Sequence, residues 1–144
     1  MVKDKIVIFT DGGSRGNPGP AGAGAVILDH QGKELKTVSK FLGLQTNNWA
    51  EYEAVALALE AVQKMFGKYL LEMEVLVQMD SQLVQRQLAN VYQIKEATLF
   101  SQYIKIHNLL IKYFRKIEFV YIPREENQRA DELANQAMDL RGNC

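Results

Sequence analysis

Residues 5–28 read KIVIFTDGGSRGNPGPAGAGAVIL, and this stretch contains the pattern that decides the fold. Its first part, KIVIF (5–9), is apolar and β-branched, which is typical of a buried strand that ends just before Asp11. The segment DGGSRGNPGPAG (11–22) is rich in glycine and proline, so its composition predicts a loop. The run AGAVIL (23–28) then predicts a second strand.

The elements that follow extend this beginning into an α/β pattern. A turn at DHQGK (29–33) leads into a third strand at KELKTVSKFL (33–42), which completes an antiparallel meander. Helical and strand patterns alternate after that: a helix from Thr46 to about Phe66 capped by Thr46 or Asn47, a strand at 74–79, helices at 81–90 and 97–114, a strand at 116–123 closed by Pro123, and a helix at 127–140 with Asn127 as N-cap. The order βββαβααβα predicts a five-stranded mixed sheet flanked by helices.

Composition restricts the class of protein. The chain has 144 residues, of which 47% are hydrophobic, so we expect one domain spanning residues 1–144. Seventeen Lys and Arg residues balance 17 Asp and Glu residues, so a polyanion would have to bind through local patches or metal ions. The single cysteine, Cys144, excludes an intrachain disulfide and a cysteine-based zinc site, and it favours the cytoplasm. We expect neither a membrane helix nor a signal peptide.

Four acidic residues occupy positions that suggest a site. Asp11 and Asp80 each follow an apolar strand directly, and ligands of α/β sheets gather beyond the carboxyl ends of strands. Glu51 and Asp131 lie on the apolar faces of their helices, whereas Glu53 is predicted on the opposite, solvated face. Clustered carboxylates repel one another unless a cation lies between them, and oxygen ligands favour Mg²⁺ or Mn²⁺. The alternative is that each acid begins a turn or a helix.

Four blocks of the sequence carry a resemblance to a known family: FTDGGSRGNPGPAGAGAVI (9–27), TNNWAEYEA (46–54), MDSQLV (79–84) and IPREENQRADELAN (122–135). In this order they resemble the type 1 ribonuclease H family, over most of the chain. The resemblance implies the ribonuclease H-like fold, whose first three strands are antiparallel. It also implies an endonuclease that cleaves the RNA strand of RNA/DNA hybrids with Mg²⁺ or Mn²⁺ and leaves 3′-hydroxyl and 5′-phosphate ends.

The resemblance also implies roles for particular residues. It implies two metal ions held by four acids, namely Asp11, Glu51, Asp80 and Asp131. It places the substrate near the scissile phosphate against four amide side chains, those of Asn17, Asn47, Asn48 and Gln82, and it places a DNA-strand phosphate against Thr46. Amides donate and accept hydrogen bonds, so they can recognise the 2′-hydroxyl that distinguishes RNA from DNA. Ordinary turn and cap chemistry remains the alternative for these amides.

Two departures indicate an archaeal-like variant of the family. Many members carry a histidine in the loop before the last acid, whereas this loop carries Arg124. Arginine stays protonated, so it cannot shuttle protons, but it can orient a phosphate or assist product departure. The alternative is a surface arginine paired with Glu125 or Glu126. The basic, Trp-rich protrusion of many bacterial members is also absent, because residues 89–97 contain one Lys and no Trp.

Other functions remain as alternatives. A haloacid dehalogenase-type phosphatase would need an Asp two residues after Asp11, where Gly13 stands, and phosphate-loop and dinucleotide fingerprints are missing. A non-catalytic hybrid-binding module would have no reason to keep four mutually repelling acids. Cleavage of RNA/RNA duplexes stays open beside cleavage of hybrids. We expect the protein to act as a monomer and not to bind membranes.

Overall fold

The computed structural model describes residues 4–140, so Cys144 lies outside the described residues. Five strands form one sheet: Lys5–Ser14 (β1), Gly19–Leu28 (β2), Glu34–Gln45 (β3), Glu74–Met79 (β4) and Lys116–Tyr121 (β5). The described residues also form four α-helices beside the sheet: Asn47–Phe66 (α1), Gln82–Leu88 (α2), Phe100–Tyr113 (α3) and Gln128–Leu140 (α4). Short 3₁₀ turns at Gly67–Glu72, Ala97–Leu99 and Arg124–Glu126 connect them. The predicted order βββαβααβα is confirmed.

The sheet is mixed, as predicted. Its strand order is β3-β2-β1-β4-β5, with β1 antiparallel to β2, β2 antiparallel to β3, and β4 parallel to both β1 and β5. The apolar core lies between the sheet and α1, where Ile8, Ile27, Leu59 and Val77 are fully buried. None of the helices within residues 4–140 is long and apolar enough to cross a membrane.

The loop predicted for residues 11–22 is largely wrong, because β1 continues to Ser14 and β2 already begins at Gly19. The glycines serve helix packing instead. A Cβ atom on Gly12 would lie 2.2 Å from the carbonyl oxygen of Ala50 on α1. A Cβ atom on Gly24 would lie 2.3 Å from the carbonyl oxygen of Ala130 on α4. A glycine-rich composition therefore predicts a loop here, although the glycines lie in strands that two helices approach closely.

The two close approaches lie on opposite faces of the sheet. Gly24 pairs with Asp11 across the β1–β2 ladder, and Gly12 is the next residue along β1. Successive residues of a strand point to opposite faces, so α1 and α4 cover different faces of the sheet. Asp11 therefore sits within β1, rather than beyond its end as predicted, and it lies between the starts of two helices.

The prediction that Glu53 lies on a solvated face is also wrong. Glu53 is 8% exposed, and its Oε1 atom accepts hydrogen bonds from Gln102 Nε2 at 3.0 Å and from Lys105 Nζ at 2.8 Å. The reason is that α3 packs beside α1 and covers this side of the helix. The predicted cap is confirmed, since Thr46 Oγ1 accepts from the Trp49 backbone N–H at 3.2 Å.

Candidate active site

Three carboxylates converge at one edge of the sheet. Oxygen atoms of Asp11, Glu51 and Asp80 all lie within 4.8 Å of one another. The parallel pairing of β1 with β4 ends at the pair Thr10 and Met79, so the next residue of each strand is an aspartate, and these two stand side by side. Glu51 reaches them from the first turns of α1. The topology of the sheet and the position of α1 thus assemble the cluster.

The electrostatics of the cluster are unfavourable without a cation. Burial raises the pKa of Asp11 to about 8, with further contributions from the nearby Asp80 and Asp131 carboxylates. Burial and then the charges of Asp11 and Asp80 raise the pKa of Glu51 well above its ordinary value. Burial also raises the pKa of Asp80, although a hydrogen bond from Asn127 and the charge of Arg124 oppose this rise. These shifts mean that the folded chain resists full ionisation of the cluster.

The donor set fits a divalent cation. Within residues 4–140, the Oε2 atom of Glu51 is buried and has no hydrogen-bond partner. Leaving a buried carboxylate oxygen without a partner is costly. Oxygen ligands from three carboxylates form the environment that hard cations such as Mg²⁺ and Mn²⁺ prefer. The residues present could therefore hold such an ion.

Asp131 stands at the rim rather than inside the cluster. It lies in the first turn of α4, and its side chain is 34% exposed. The structure brings it close enough to raise the pKa of Asp11, but not within the 4.8 Å group of three carboxylates. Its Oδ1 atom lies 3.8 Å from Nη2 of Arg124, whose side chain is 81% exposed. Within the described residues the acidic partner of Arg124 is therefore Asp131 and not Glu125 or Glu126.

A cleft of about 340 Å³ opens from the cluster toward solvent. Asp11, Asp131 and Arg124 line it together with Arg15 and Asn47. Two of the four acids, two arginines and one of the predicted substrate-binding amides therefore face a common space.

Polar side chains connect the β1–β2 turn to the start of α1. The Asn47 backbone N–H donates to Asn17 Oδ1 at 2.9 Å, and Asn47 Oδ1 accepts from the Ser14 backbone N–H at 2.8 Å. Asn48 is partly buried in the next position of α1. Gln82 is exposed at the start of α2, where its amide lies beside the Arg86 guanidinium. The structure thus joins Asn17 to Asn47 beside the cluster, while Gln82 stands two residues after Asp80.

Sequence reasoning missed the contribution of Asn127. Its Nδ2 atom donates to the Thr10 carbonyl oxygen at 2.8 Å and to Asp80 Oδ2 at 3.2 Å. Asn127 directly precedes α4 and its carbonyl oxygen accepts the first bond of that helix, as predicted for an N-cap, but its Oδ1 atom has no partner within residues 4–140, so the side chain does not cap the helix. Asparagine directly before a helix is the usual signal for an N-cap. Thr10 lies 117 residues away along the chain, so no local pattern could have revealed this contact.

Replacing Asp11 by Asn should stabilise the metal-free protein at high pH. Because the folded-state pKa of Asp11 is raised from 3.8 to about 8, the stability contributed by its bound proton is fully present below pH 3.8 and is lost as pH rises through 8. In chelator at pH 8 the variant should therefore be more stable than the parent, by up to about 6 kcal/mol, because each pH unit between 3.8 and 8 contributes about 1.4 kcal/mol. Thermal melts of both proteins measure the difference.

The same melts contain their own controls. The advantage of the Asn variant should fade as pH falls toward 4, where the carboxyl of the folded parent is protonated. It should also shrink or reverse in Mg²⁺, because ligand binding stabilises the folded parent. A variant that is less stable than the parent in chelator at pH 8 would contradict mutual repulsion within the cluster.

Comparisons with known proteins identify the family. A family model described as Reverse transcriptase-like matches residues 9–137. The chain is 52% identical to LC11-RNase H1, isolated from compost and solved in complex with an RNA/DNA hybrid; the TM-score is 0.89, over 93% of this chain and 96% of that one. It is 35% identical to RNase H1 from the archaeon Halobacterium salinarum, with a TM-score of 0.86 over 94% of this chain and 98% of the other.

A longer relative shares the same region. The Bifunctional protein Rv2228c of Mycobacterium tuberculosis is 41% identical over 137 residues, which make up 94% of this chain and 36% of the relative. The chain thus spans about a third of the length of this relative. The family match covers most of the chain, and the fold and the carboxylate cluster agree with it. The chain belongs to the type 1 ribonuclease H family.

Proposed function

We propose that this protein is a metal-dependent endoribonuclease that cleaves the RNA strand of RNA/DNA hybrids. The observation that carries the proposal is the close group of three carboxylates, of which Asp11 and Glu51 are buried and one Glu51 oxygen has no partner among the described residues. A module that only binds hybrids would gain nothing from such a repelling group, and it would lose stability through it. The similarity to LC11-RNase H1, which was solved with an RNA/DNA hybrid, supports the choice of substrate.

Four acids would hold the cations. Asp11, Glu51 and Asp80 provide the three close carboxylates, and Asp131 adds a carboxylate at the rim. When bound, two Mg²⁺ or Mn²⁺ ions would supply an activated water and stabilisation of the leaving 3′-oxygen, so that the products carry 3′-hydroxyl and 5′-phosphate ends. The burial of Asp11 and Glu51 strengthens the attraction between these carboxylates and the ions.

The polar residues around the cleft would orient the hybrid. Because the Oδ1 atoms of Asn17 and Asn47 accept hydrogen bonds within the chain, their NH₂ groups are the ones that we expect to donate to the substrate. Asn48 and Gln82 extend this polar surface on both sides of the cluster. The Thr46 hydroxyl oxygen accepts the cap bond, so its hydrogen can donate to a DNA-strand phosphate.

We infer that residues 1–144 act as one catalytic domain. The expected monomeric state and cytoplasmic location stay predictions. Size-exclusion chromatography coupled to light scattering would measure the state of association.

Cleavage should be restricted to RNA within a hybrid. Incubation with end-labelled RNA/DNA hybrid and Mg²⁺ or Mn²⁺ should release RNA fragments, and chelator should abolish the reaction. A matched duplex whose RNA strand is replaced by DNA should survive, because the amide contacts to the 2′-hydroxyl are lost. Equally fast cleavage of the DNA duplex would contradict the proposal. An RNA/RNA duplex in the same assay tests the broader specificity left open by the sequence.

A further inference from the structure

We propose that Asn127 is a positioning residue that holds the Asp80 carboxylate in the orientation that binds the divalent cation. The inference rests on the proposed function. It concerns a residue whose side chain does not face the substrate but connects three elements of the fold behind the site.

The hydrogen bonds of Asn127 fix the place of one Asp80 oxygen. The two hydrogens of Nδ2 meet two acceptors, the Thr10 carbonyl oxygen at 2.8 Å and Asp80 Oδ2 at 3.2 Å. Because Thr10 is the last β1 residue paired with β4, its carbonyl belongs to a rigid part of the sheet. The amide therefore ties the Asp80 carboxylate to a backbone atom of the sheet.

The backbone of Asn127 is itself held on both sides. Its N–H donates to the Arg124 carbonyl oxygen at 2.9 Å, and its carbonyl oxygen accepts from the Asp131 N–H at 3.1 Å. The second bond is the first of α4, so the residue is anchored at the start of that helix. The whole residue is 1% exposed. Such packing leaves the amide little freedom to follow Asp80 if the carboxylate moves.

Asp80 needs this support more than its two partners do. Asp11 lies inside a strand and Glu51 inside a helix, whereas Asp80 follows the end of β4 in a bend before α2. Repulsion from Asp11 favours rotation of the Asp80 side chain away from the cluster. The hydrogen bond from Asn127 opposes that rotation. Partners that hold metal ligands in this way raise metal affinity because the ligands need no reorganisation on binding.

The unsatisfied oxygen of Asn127 argues against a purely stabilising role. Its Oδ1 atom is buried and has no partner among the described residues, which costs stability. Rotating the amide so that its oxygen and nitrogen exchange places would not satisfy Oδ1, because Oδ1 would then face two acceptor oxygens. A residue that served packing alone would be replaced by an apolar side chain without that cost. The hydrogen bond from Asn127 Nδ2 to Asp80 explains why an asparagine, and not an apolar residue, occupies this position.

The test separates metal binding from stability. Asn127→Ala and Asn127→Ser both remove the amide donor, and serine fills more of the space. Gln102→Ala is the matched control, because it removes another buried amide that donates to a carboxylate, Glu53, outside the site. For each protein, calorimetric titration with Mn²⁺ in the absence of nucleic acid measures metal affinity, and thermal melts in chelator measure stability.

We expect both Asn127 variants to bind Mn²⁺ about 10- to 100-fold more weakly than the parent. The Gln102 variant should lose stability but keep the parental Mn²⁺ affinity. Asn127 variants that melt earlier yet bind Mn²⁺ as tightly as the parent would overturn the positioning role while leaving the proposed function intact. If the parent itself neither binds Mn²⁺ nor cleaves hybrid, the proposed function fails and this inference falls with it.

Discussion

Replacing Asp80 by Asn should lower kcat for hybrid cleavage by several orders of magnitude. The substitution keeps the shape of the side chain but removes one of the three close carboxylates that would hold the cation. Charge stabilisation by a bound ion acts mainly on the transition state, so kcat should fall much more than KM rises. Steady-state kinetics on end-labelled hybrid at saturating Mg²⁺ measure both constants.

A matched control uses another buried acid. Glu53→Gln makes the same acid-to-amide change on α1, but its carboxylate pairs with Lys105 on the side away from the cluster. This variant should lose some stability and keep the parental kcat at a temperature where both proteins are folded. An Asp80→Asn enzyme with parental kcat would remove Asp80 from the metal-binding residues and with it the proposed mechanism.

Replacing Arg124 by Ala should lower kcat roughly 10- to 1000-fold, the range for loss of one charged donor that acts on the transition state. The guanidinium is exposed at the cleft, 3.8 Å from Asp131, and its charge opposes the rise that burial causes in the pKa of Asp80. Its position therefore allows the guanidinium to stabilise the negative charge that develops on the phosphate or that the departing product carries. KM should change less, because the hybrid is bound mainly by other contacts.

Three further variants identify what Arg124 contributes. Arg115→Ala is the control, because it removes an exposed arginine that precedes the first residue of β5. Arg124 comes after the last residue of β5, so the two arginines lie beyond opposite ends of this strand. The kcat of Arg115→Ala should stay at the parental value. Arg124→Lys keeps the charge and should retain part of the rate. Arg124→His should make the rate depend on pH near 6–7 only if proton transfer is limiting. An unchanged kcat in Arg124→Ala would make Arg124 an ordinary surface residue.

The order of strands and helices was predictable because each element carries its own periodicity. The apolar runs of β1 and β4 and the striped pattern of α1 are local signals, and the structure confirms the elements that they predict. The error at residues 11–22 has a clear physical cause. Glycine marks flexible turns, but it also marks places where a helix approaches a strand too closely for a Cβ atom. Composition alone does not distinguish the two.

The sequence by itself determined which carboxylates could form the site, because two of them terminate apolar runs and two lie on apolar helical faces. Only the tertiary structure decided that Asp11, Glu51 and Asp80 form the close group while Asp131 remains at the rim beside Arg124. It also decided the partners of Glu53 and Asn127, which lie 49 and 117 residues away along the chain. Contacts of that separation depend on how helices pack against the sheet, and no local periodicity encodes them.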